Sequence, residues 1–215
     1  MKKGFTAILW ILIIFFSYKI YDSINGPIKF NVVKNKRYSQ VINRLKIIRK
    51  AQIAYKDVRG LYSNNFDSLV KFIDEGIFTL IEKRDSSYLE YDRIYRIDML
   101  REVIVIDTLG TVKVKDSLFK NSDEYKRMAF IPVDGVRDSV FKIQSNIINK
   151  NGYKVPVFEV KISKNVVLFD QNKDLLKQEN ETISVDGVNG PDIILGSLSN
   201  VSVNGNWPTI FDATN

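Results

Sequence analysis

An uncharged, apolar run near the N-terminus constrains this chain more than any other feature. The run covers the 14 residues Phe5–Tyr18 and ends at Lys19. As a helix these residues span ~21 Å of a hydrocarbon core about 30 Å thick, so they need the neighbouring Ile20 and Tyr21 to complete a span. We therefore predict a transmembrane anchor at residues 5–21. The bulky side chains expected to face lipid are Phe5, Trp10, Phe15, Phe16 and Tyr18.

A cleaved secretory signal is the competing interpretation of this run. Such signals also combine a basic head with a short apolar stretch. They end in a small-residue cleavage site, whereas bulky side chains occupy positions 18–21 of this chain. The pattern therefore favours an uncleaved anchor.

The charges on either side of the anchor bear on its orientation. Lys2 and Lys3 precede it, and Lys29, Lys34 and Lys36 follow within about 20 residues, where the positive-inside rule still counts them. The positive residues on the two sides of the anchor are similar in number, so this rule alone does not decide the orientation. We expect a cytoplasmic N-terminus and an extracytoplasmic domain, in the periplasm or at the cell surface, because a short basic head before a signal anchor is the commoner arrangement.

The chain contains no cysteine and no histidine. This composition excludes disulfides, Cys/His zinc sites, thiol nucleophiles and histidine acid–base catalysis. We expect no cofactor, no metal site and no catalytic site. A hydrolase that relies on paired Asp or Glu residues is an alternative, because a sequence does not show whether carboxylates converge.

Positive charge is concentrated in the first 60 residues. The whole chain has a formal net charge of +7, whereas residues 1–60 contain thirteen Lys/Arg and two Asp, or +11, which leaves −4 for the rest. We call the basic residues behind the anchor the basic neck, and predict that they contact an anionic lipid surface or an acidic protein, not nucleic acid. The basic neck consists of Arg37, Arg44, Lys46, Arg49, Lys50, Lys56 and Arg59.

Behind the anchor, the pattern predicts a break and then two amphipathic helices. Gly26-Pro27 predicts the end of the membrane helix, and an extended connector is expected at residues 28–33. A helix is predicted at 35–59, stopped by Gly60, and a second at Phe66–Glu75, capped by Asn64 or Asn65. The predicted buried faces are Val41, Leu45, Ile47, Ile48, Ala51, Gln52, Ala54, Tyr55 and Val58 on the first, and Phe66, Leu69, Val70, Phe72 and Ile73 on the second.

Beyond residue 102 the apolar period changes to two, which predicts an antiparallel sheet. The first hairpin is expected to turn at Asp107–Gly110, between residues 103–106 and 112–115. The other predicted strands are 128–133, 140–145, 154–162, 166–169 and 193–195, with a turn at residues 149–152. The fold prediction is therefore α+β, with helices packed on an antiparallel sheet. Its organisation is a basic leader at 1–4, the anchor at 5–21, a linker at 22–34, an α+β domain at 35–185 and a loop-rich segment at 186–215.

Two short motifs bear on chemistry, and both are incomplete. Ser117 and Lys120 match S-x-x-K, in which a lysine activates a serine nucleophile, but no K-T-G element follows. Asp170, Asn172, Asp174 and Glu181 occupy positions 1, 3, 5 and 12 of a calcium loop, but position 6 is Leu175 and not glycine. A solvated loop and a hairpin tip are the favoured interpretations.

Two stretches of the N-terminal 75 residues carry a family resemblance: Met-Lys-Lys-Gly-Phe-Thr at residues 1–6, and the spacing of Ala51, Tyr55, Gly60 and Tyr62. They resemble type IV pilins and the pseudopilins of type II secretion. The first stretch is similar to a prepilin leader, which implies cleavage between Gly4 and Phe5, and the second is similar to the end of the long pilin helix. Pilins of this type usually carry glutamate at the fifth mature position, which is Leu9 here.

From the anchor, the basic neck and the missing catalytic set, we expect a non-catalytic structural or interaction subunit of a cell-envelope assembly. Its expected partners are the lipid bilayer, other envelope proteins and other copies of itself. A pilin-like or pseudopilin-like filament subunit is the first alternative, and a membrane-anchored hydrolase without His or Cys is the second.

Overall fold

The computed structural model describes residues 2–120, 122–136 and 139–212, and the side chains of the first helix from Ile8 onward. In it the chain forms an α+β fold with one very long helix, four shorter α-helices and two antiparallel sheets. The helices are α1 Lys2–Arg59, α2 Phe66–Glu75, α3 Val114–Phe119, α4 Lys164–Val167 and α5 Lys173–Asn180. The strands are β1 Ile77–Asp92, β2 Ile97–Lys113, β3 Lys142–Lys150, β4 Tyr153–Ser163 and β5 Asp192–Gly196. Two short 3₁₀ turns lie at Glu124–Arg127 and Thr209–Phe211.

Helix α1 is continuous, so the predicted break at Gly26-Pro27 and the extended connector behind it are wrong. Its 58 residues include Pro27 and extend over ~87 Å. Proline removes one N–H donor and its ring crowds the carbonyl four residues earlier, but the chain is helical on both sides of Pro27. The helix ends where the sequence predicts, because Gly60 takes the left-handed conformation with φ of 76°.

Helix α2 confirms the sequence prediction at both ends. The side chain of Asn65 accepts a hydrogen bond from the Asp67 N–H at 2.6 Å, which satisfies one of the free donors of the first turn. Leu69, Phe72 and Ile73 are buried. Its boundaries at Phe66 and Glu75 follow from these local signals.

The core lies between the C-terminal half of α1 and the three-stranded sheet, whose strand order is β3-β4-β5. Leu45 and Ile48 of α1 are fully buried, as are Phe158 of β4 and Ile193 of β5. Most of the predicted stripe of α1 is confirmed, but Val58 is exposed because the helix runs past the core at its end. The remaining buried residues of that stripe are Val41, Ala51, Gln52 and Ala54, with Ile47 and Tyr55 partly buried.

The first hairpin is much longer than predicted, and it turns elsewhere. Strand β1 pairs with β2 from Ile77–Lys113 at the base to Asp92–Ile97 at the tip. The Asp92 carboxylate shapes the tip by accepting hydrogen bonds from the N–H groups of Ile94 and Tyr95 at 2.8 and 3.1 Å. The predicted turn at 107–110 is instead a bulge, where the register shifts between Leu80 and Ile81. The predicted strand 112–115 is half wrong, because β2 ends at Lys113 and Val114 begins α3.

The five other strand predictions have different outcomes. Residues 154–162 and 193–195 lie within β4 and β5, and β3 covers 142–150 instead of 140–145. Residues 128–133 form only an isolated bridge, Phe130 to Val140. Residues 166–169 are not a strand, because Ser163 caps α4 by accepting a hydrogen bond from the Asn165 N–H. Residues 213–215 of the predicted C-terminal segment lie outside the described residues.

Candidate functional site

The N-terminal half of α1 exposes apolar side chains on all sides. Trp10 is 63% exposed and Tyr18 is 65% exposed, whereas Phe30 is the first buried residue of the helix at 6%. Phe15 and Phe16 are also exposed, and the side chain of Phe5 lies outside the described part of the chain. This is the one described helix that is long and apolar enough to cross a membrane. An apolar surface on every side of a helix needs lipid or other helices around it.

The C-terminal half of α1 is held to the domain by a bidentate ion pair. Arg37 Nη1 and Nη2 donate to the two carboxylate oxygens of Asp170 at 2.6 and 2.8 Å, and Nη1 also donates to the Val167 carbonyl at 3.0 Å. These bonds stabilise the ionised carboxylate, so the pKa of Asp170 lies well below its usual range. Arg37 thus ties α1 to the segment between α4 and α5.

A second contact brings the C-terminus of the described chain back to α1. Arg49 Nη2 lies 3.4 Å from Asp212 Oδ1, and the Arg49 guanidinium lies over the Trp207 ring. Lys46 Nζ donates to the Phe211 carbonyl and lies 3.9 Å from Asp212. Two residues of the predicted basic neck therefore contact the C-terminal segment of the domain.

The other members of the basic neck differ in exposure. Arg44 donates to the Glu124 carbonyl at 3.0 Å, and its partial burial lowers the pKa of its guanidinium. Lys56 Nζ lies 5.3 Å from the centre of the Tyr62 ring. Lys50 and Arg59 are exposed. The prediction that the basic neck contacts an anionic partner stays a prediction, and it now depends mainly on Lys50, Arg59 and the exposed part of Lys56.

A fully buried lysine, which the sequence did not point to, lies behind α1. Lys164 Nζ donates to the Glu179 carbonyl at 2.7 Å, the Val188 carbonyl at 2.8 Å and the Glu179 carboxylate at 3.2 Å. The same carboxylate accepts hydrogen bonds from Tyr38 at 3.2 Å and Lys34 at 3.0 Å. Burial lowers the pKa of Lys164 and raises the pKa of Tyr38.

Every polar atom of this buried cluster has a partner inside the domain. The lysine saturates its three donors on one carboxylate and two carbonyl oxygens, and it links α4, α5 and the segment before β5. No sequence motif signals the cluster, because its members are separated by up to 145 residues. The arrangement is that of a structural ion cluster.

The two incomplete motifs are not assembled into sites, and the predicted solvated loop and hairpin tip are wrong, because Ser117 lies in α3 and Asp174 lies in α5. Ser117 is exposed in α3, and Lys120 is exposed at its C-terminal end. Asp170 is paired with Arg37, and the Asn172 side chain caps α5. Glu181 is at the other end of α5, ~14 Å from Asn172 along the helix. Over the described ranges, no group of three His, Cys, Asp or Glu residues is placed to hold a metal ion.

Comparisons with known proteins supply no relative. No protein-family model matches the chain, and neither the curated proteins nor the solved structures include a significant match.

Proposed function

We propose that this chain is a non-catalytic, membrane-anchored subunit that presents its α+β domain to other proteins of a cell-envelope assembly. The observation that carries the proposal is the division of α1 into two halves without a break. The half before Phe30 exposes its apolar side chains, and the half from Phe30 onward contributes to the core. In this proposal residues 5–21 span the bilayer, the N-terminus is cytoplasmic and the domain is extracytoplasmic.

The ion pairs on α1 support the same role. If the anchor is to set the position of the domain, the helix must be rigidly connected to it, and side chains of α1 contact carboxylates of the domain. Arg37 binds Asp170, and Arg49 and Lys46 contact Asp212. These attachments, added to the apolar stripe of Leu45 and Ile48, fix the direction of the helix relative to the sheet.

Membrane fractionation tests the anchor. Full-length protein should pellet with membranes, resist high salt and require detergent for release. Leu12→Lys combined with Ile13→Lys should shift protein to the aqueous phase, because each lysine near a span centre costs about 2.5–3.5 kcal/mol of insertion. The matched control is Ile28→Lys with Val32→Lys, which also alters exposed apolar residues of α1 but lies outside the anchor. Recovery of intact full-length protein in the aqueous phase would contradict the proposal.

A pilin-like filament subunit is the second candidate, and the continuity of α1 favours it. An exposed apolar half-helix joined to a packed half-helix is the layout that the resemblance implies. Intact mass of the membrane-extracted protein tests this candidate. Loss of Met1–Gly4, abolished when Gly4 is replaced by leucine, would support leader processing. A full-length mass in the native host would favour the uncleaved anchor.

A further inference from the structure

The hairpin β1–β2 stands apart from the core. Its strands have 16 and 17 residues, so it extends for ~50 Å, and nearly all of its residues are exposed. Within the described ranges it forms a two-stranded sheet of its own. Its base is attached where the Val114 N–H donates to the Gly76 carbonyl at 3.0 Å. An isolated two-stranded hairpin is marginally stable in water, so one of this length calls for a partner.

The centre of β2 has the composition of a pairing edge. Val103-Ile104-Val105-Ile106 is an uncharged run of four β-branched residues, and Ile104 is 64% exposed. Such side chains favour strands, and an exposed apolar edge strand is a template for pairing with another chain. The uncharged run is bounded by Glu102 and Asp107, which limit where a second strand can pair.

Both faces of the hairpin carry charged side chains, but cross-strand ion pairs lie on one of them. Residues of β2 with odd numbers share that face, on which Arg101 Nε donates to Glu90 at 2.9 Å and Asp107 accepts from Arg84. The opposite face carries Ile104 and Leu100, both 64% exposed, with Glu102 between them. The face with the ion pairs therefore contains an arginine at one end of the apolar run and an aspartate at the other.

We propose that β2 pairs with β2 of a second copy, antiparallel and centred on Ile104. In this register Asp107 lies opposite Arg101 of the second copy, and Arg101 lies opposite its Asp107. Val105 lies opposite Val103, and Ile104 lies opposite Ile104. The result is a four-stranded sheet with two symmetry-related ion pairs.

Charge complementarity selects this register over its neighbours. A two-fold axis perpendicular to the sheet keeps each face on its own side, so the pairing is centred on a single residue. Centring on Val103 would set Arg101 opposite Val105, and centring on Val105 would set Asp107 opposite Val103. Only the register centred on Ile104 extends the existing pairs into a row of alternating charge. That row is Arg84, Asp107, Arg101 of the second copy and Glu90 of the second copy.

This pairing names one partner of the proposed subunit and rests on that proposed function for its biological setting. The two tests are separate, because fractionation reports the anchor and cross-linking in detergent reports the hairpin. If one of these experiments gives a negative result, the result of the other can still be interpreted.

Cysteine cross-linking of the full-length protein in detergent tests the pairing. The chain has no cysteine, so Ile104→Cys introduces a unique thiol. Directly opposite residues of an antiparallel pair have Cα atoms about 4.5–5.5 Å apart, within the range of a disulfide. We expect mild oxidation to convert Ile104→Cys mostly to a covalent dimer on a non-reducing gel.

The matched control is Leu100→Cys, which is on the same strand and face with the same exposure of 64%. In the proposed register the two copies of residue 100 are ~26 Å apart, so this variant should cross-link at least ~10-fold more slowly. Equal rates for the two variants, or a monomeric Ile104→Cys, would overturn the proposal.

A charge reversal tests the register itself. Adding Arg101→Glu to Ile104→Cys sets like charges opposite each other at both ends of the run and should slow cross-linking several-fold. Adding Arg93→Glu at the exposed hairpin tip is the control and should leave the rate unchanged. Circular dichroism checks that both variants fold. An unchanged rate in a folded Arg101→Glu variant would rule out the register centred on Ile104.

Discussion

Arg37 and Asp170 are 133 residues apart in the chain and form two parallel hydrogen bonds, at 2.6 and 2.8 Å. The pair attaches α1 to the segment that follows α4. Because the Asp170 carboxylate is 43% exposed, solvent screens the pair, and its contribution to stability is about 1 kcal/mol at most.

This pair predicts a specific acid sensitivity. The folded-state pKa of Asp170 is depressed, so its stabilising effect is present above the unfolded value of about 3.9 and is lost as the pH falls below it. Thermal unfolding of wild type and Asp170→Asn in detergent should therefore differ at pH 6 and converge toward pH 2. Asp186→Asn, in an exposed loop, is the control and should follow wild type throughout. A constant difference across the pH series would show that the pair does not titrate.

Truncating Leu45 tests how α1 packs on the sheet. Its side chain is fully buried, so Leu45→Ala should lower the free energy of unfolding by about 2–5 kcal/mol. The exposed Lys50 is on the same helix, and Lys50→Ala should change that free energy by less than about 0.5 kcal/mol. A denaturant titration in mild detergent measures both. Similar losses for both variants would mean that α1 does not pack through this face.

Replacing Lys164 should lower the free energy of unfolding strongly, and this loss should not add to the loss caused by replacing Glu179. Lys164→Met leaves the Val188 carbonyl and the Glu179 groups without their buried donor, and should cost about 3–5 kcal/mol. In Lys164→Met the Glu179 carboxylate keeps Lys34 and Tyr38 but loses its buried cation. Adding Glu179→Gln removes that weakened charge, so the double variant should be more stable than the sum of the single losses predicts by at least about 1 kcal/mol. Lys161→Met, which removes a partly exposed lysine from a surface pair, should cost less than about 1 kcal/mol. Strict additivity would argue against a coupled cluster.

Replacing Gln52 should destabilise the loop after α1 without affecting the sheet. Its buried amide donates to the Ser63 carbonyl at 2.7 Å and accepts from the Ser63 N–H at 2.9 Å. Gln52→Leu leaves both backbone groups unpaired, at about 1–3 kcal/mol for each. Hydrogen exchange should therefore speed up at residues 61–65 and change little in β4. Asp57→Ala, an exposed change on the same helix, is the control.

The elements predicted correctly from sequence are those with strong local signals. Gly60 ends α1 and Asn65 begins α2, because a left-handed conformation and a side-chain cap depend on single residues. The turn at Asn151-Gly152 between β3 and β4 also follows from residues that tolerate positive φ, here 52° and 85°.

The strand predictions fail where the same residue types are compatible with two backbone conformations. Asp107–Gly110 has the composition of a hairpin loop, but it forms a bulge inside a long strand. The true tip at residues 93–96 contains no glycine, proline or asparagine, and Asp92 shapes it through its side chain. The pattern at the tip therefore gave no turn signal.

The candidate site was predicted only in part. The exposed apolar half of α1 can be predicted from a run of side chains, but the roles of Arg37 and Arg49 depend on partners more than 130 residues away. Charge counting identified the basic neck as a surface, whereas tertiary structure uses several of its members as internal ion pairs. Composition does not distinguish these two roles.

The first buried residue of α1 sets how far the domain stands from a bilayer. If the apolar run ends at the membrane surface near Tyr21, Phe30 lies ~14 Å beyond it along the helix axis. Lipid headgroups occupy about 5–8 Å of that distance, and the Debye length at physiological salt is about 8 Å. The near end of the domain, where residues of the 171–175 segment line a cavity with Asp22 and Phe30, is therefore within reach of lipid charge. The exposed basic residues Lys50 and Arg59 lie ~44 and ~57 Å from that surface along the same axis, which leaves them available to recognise proteins.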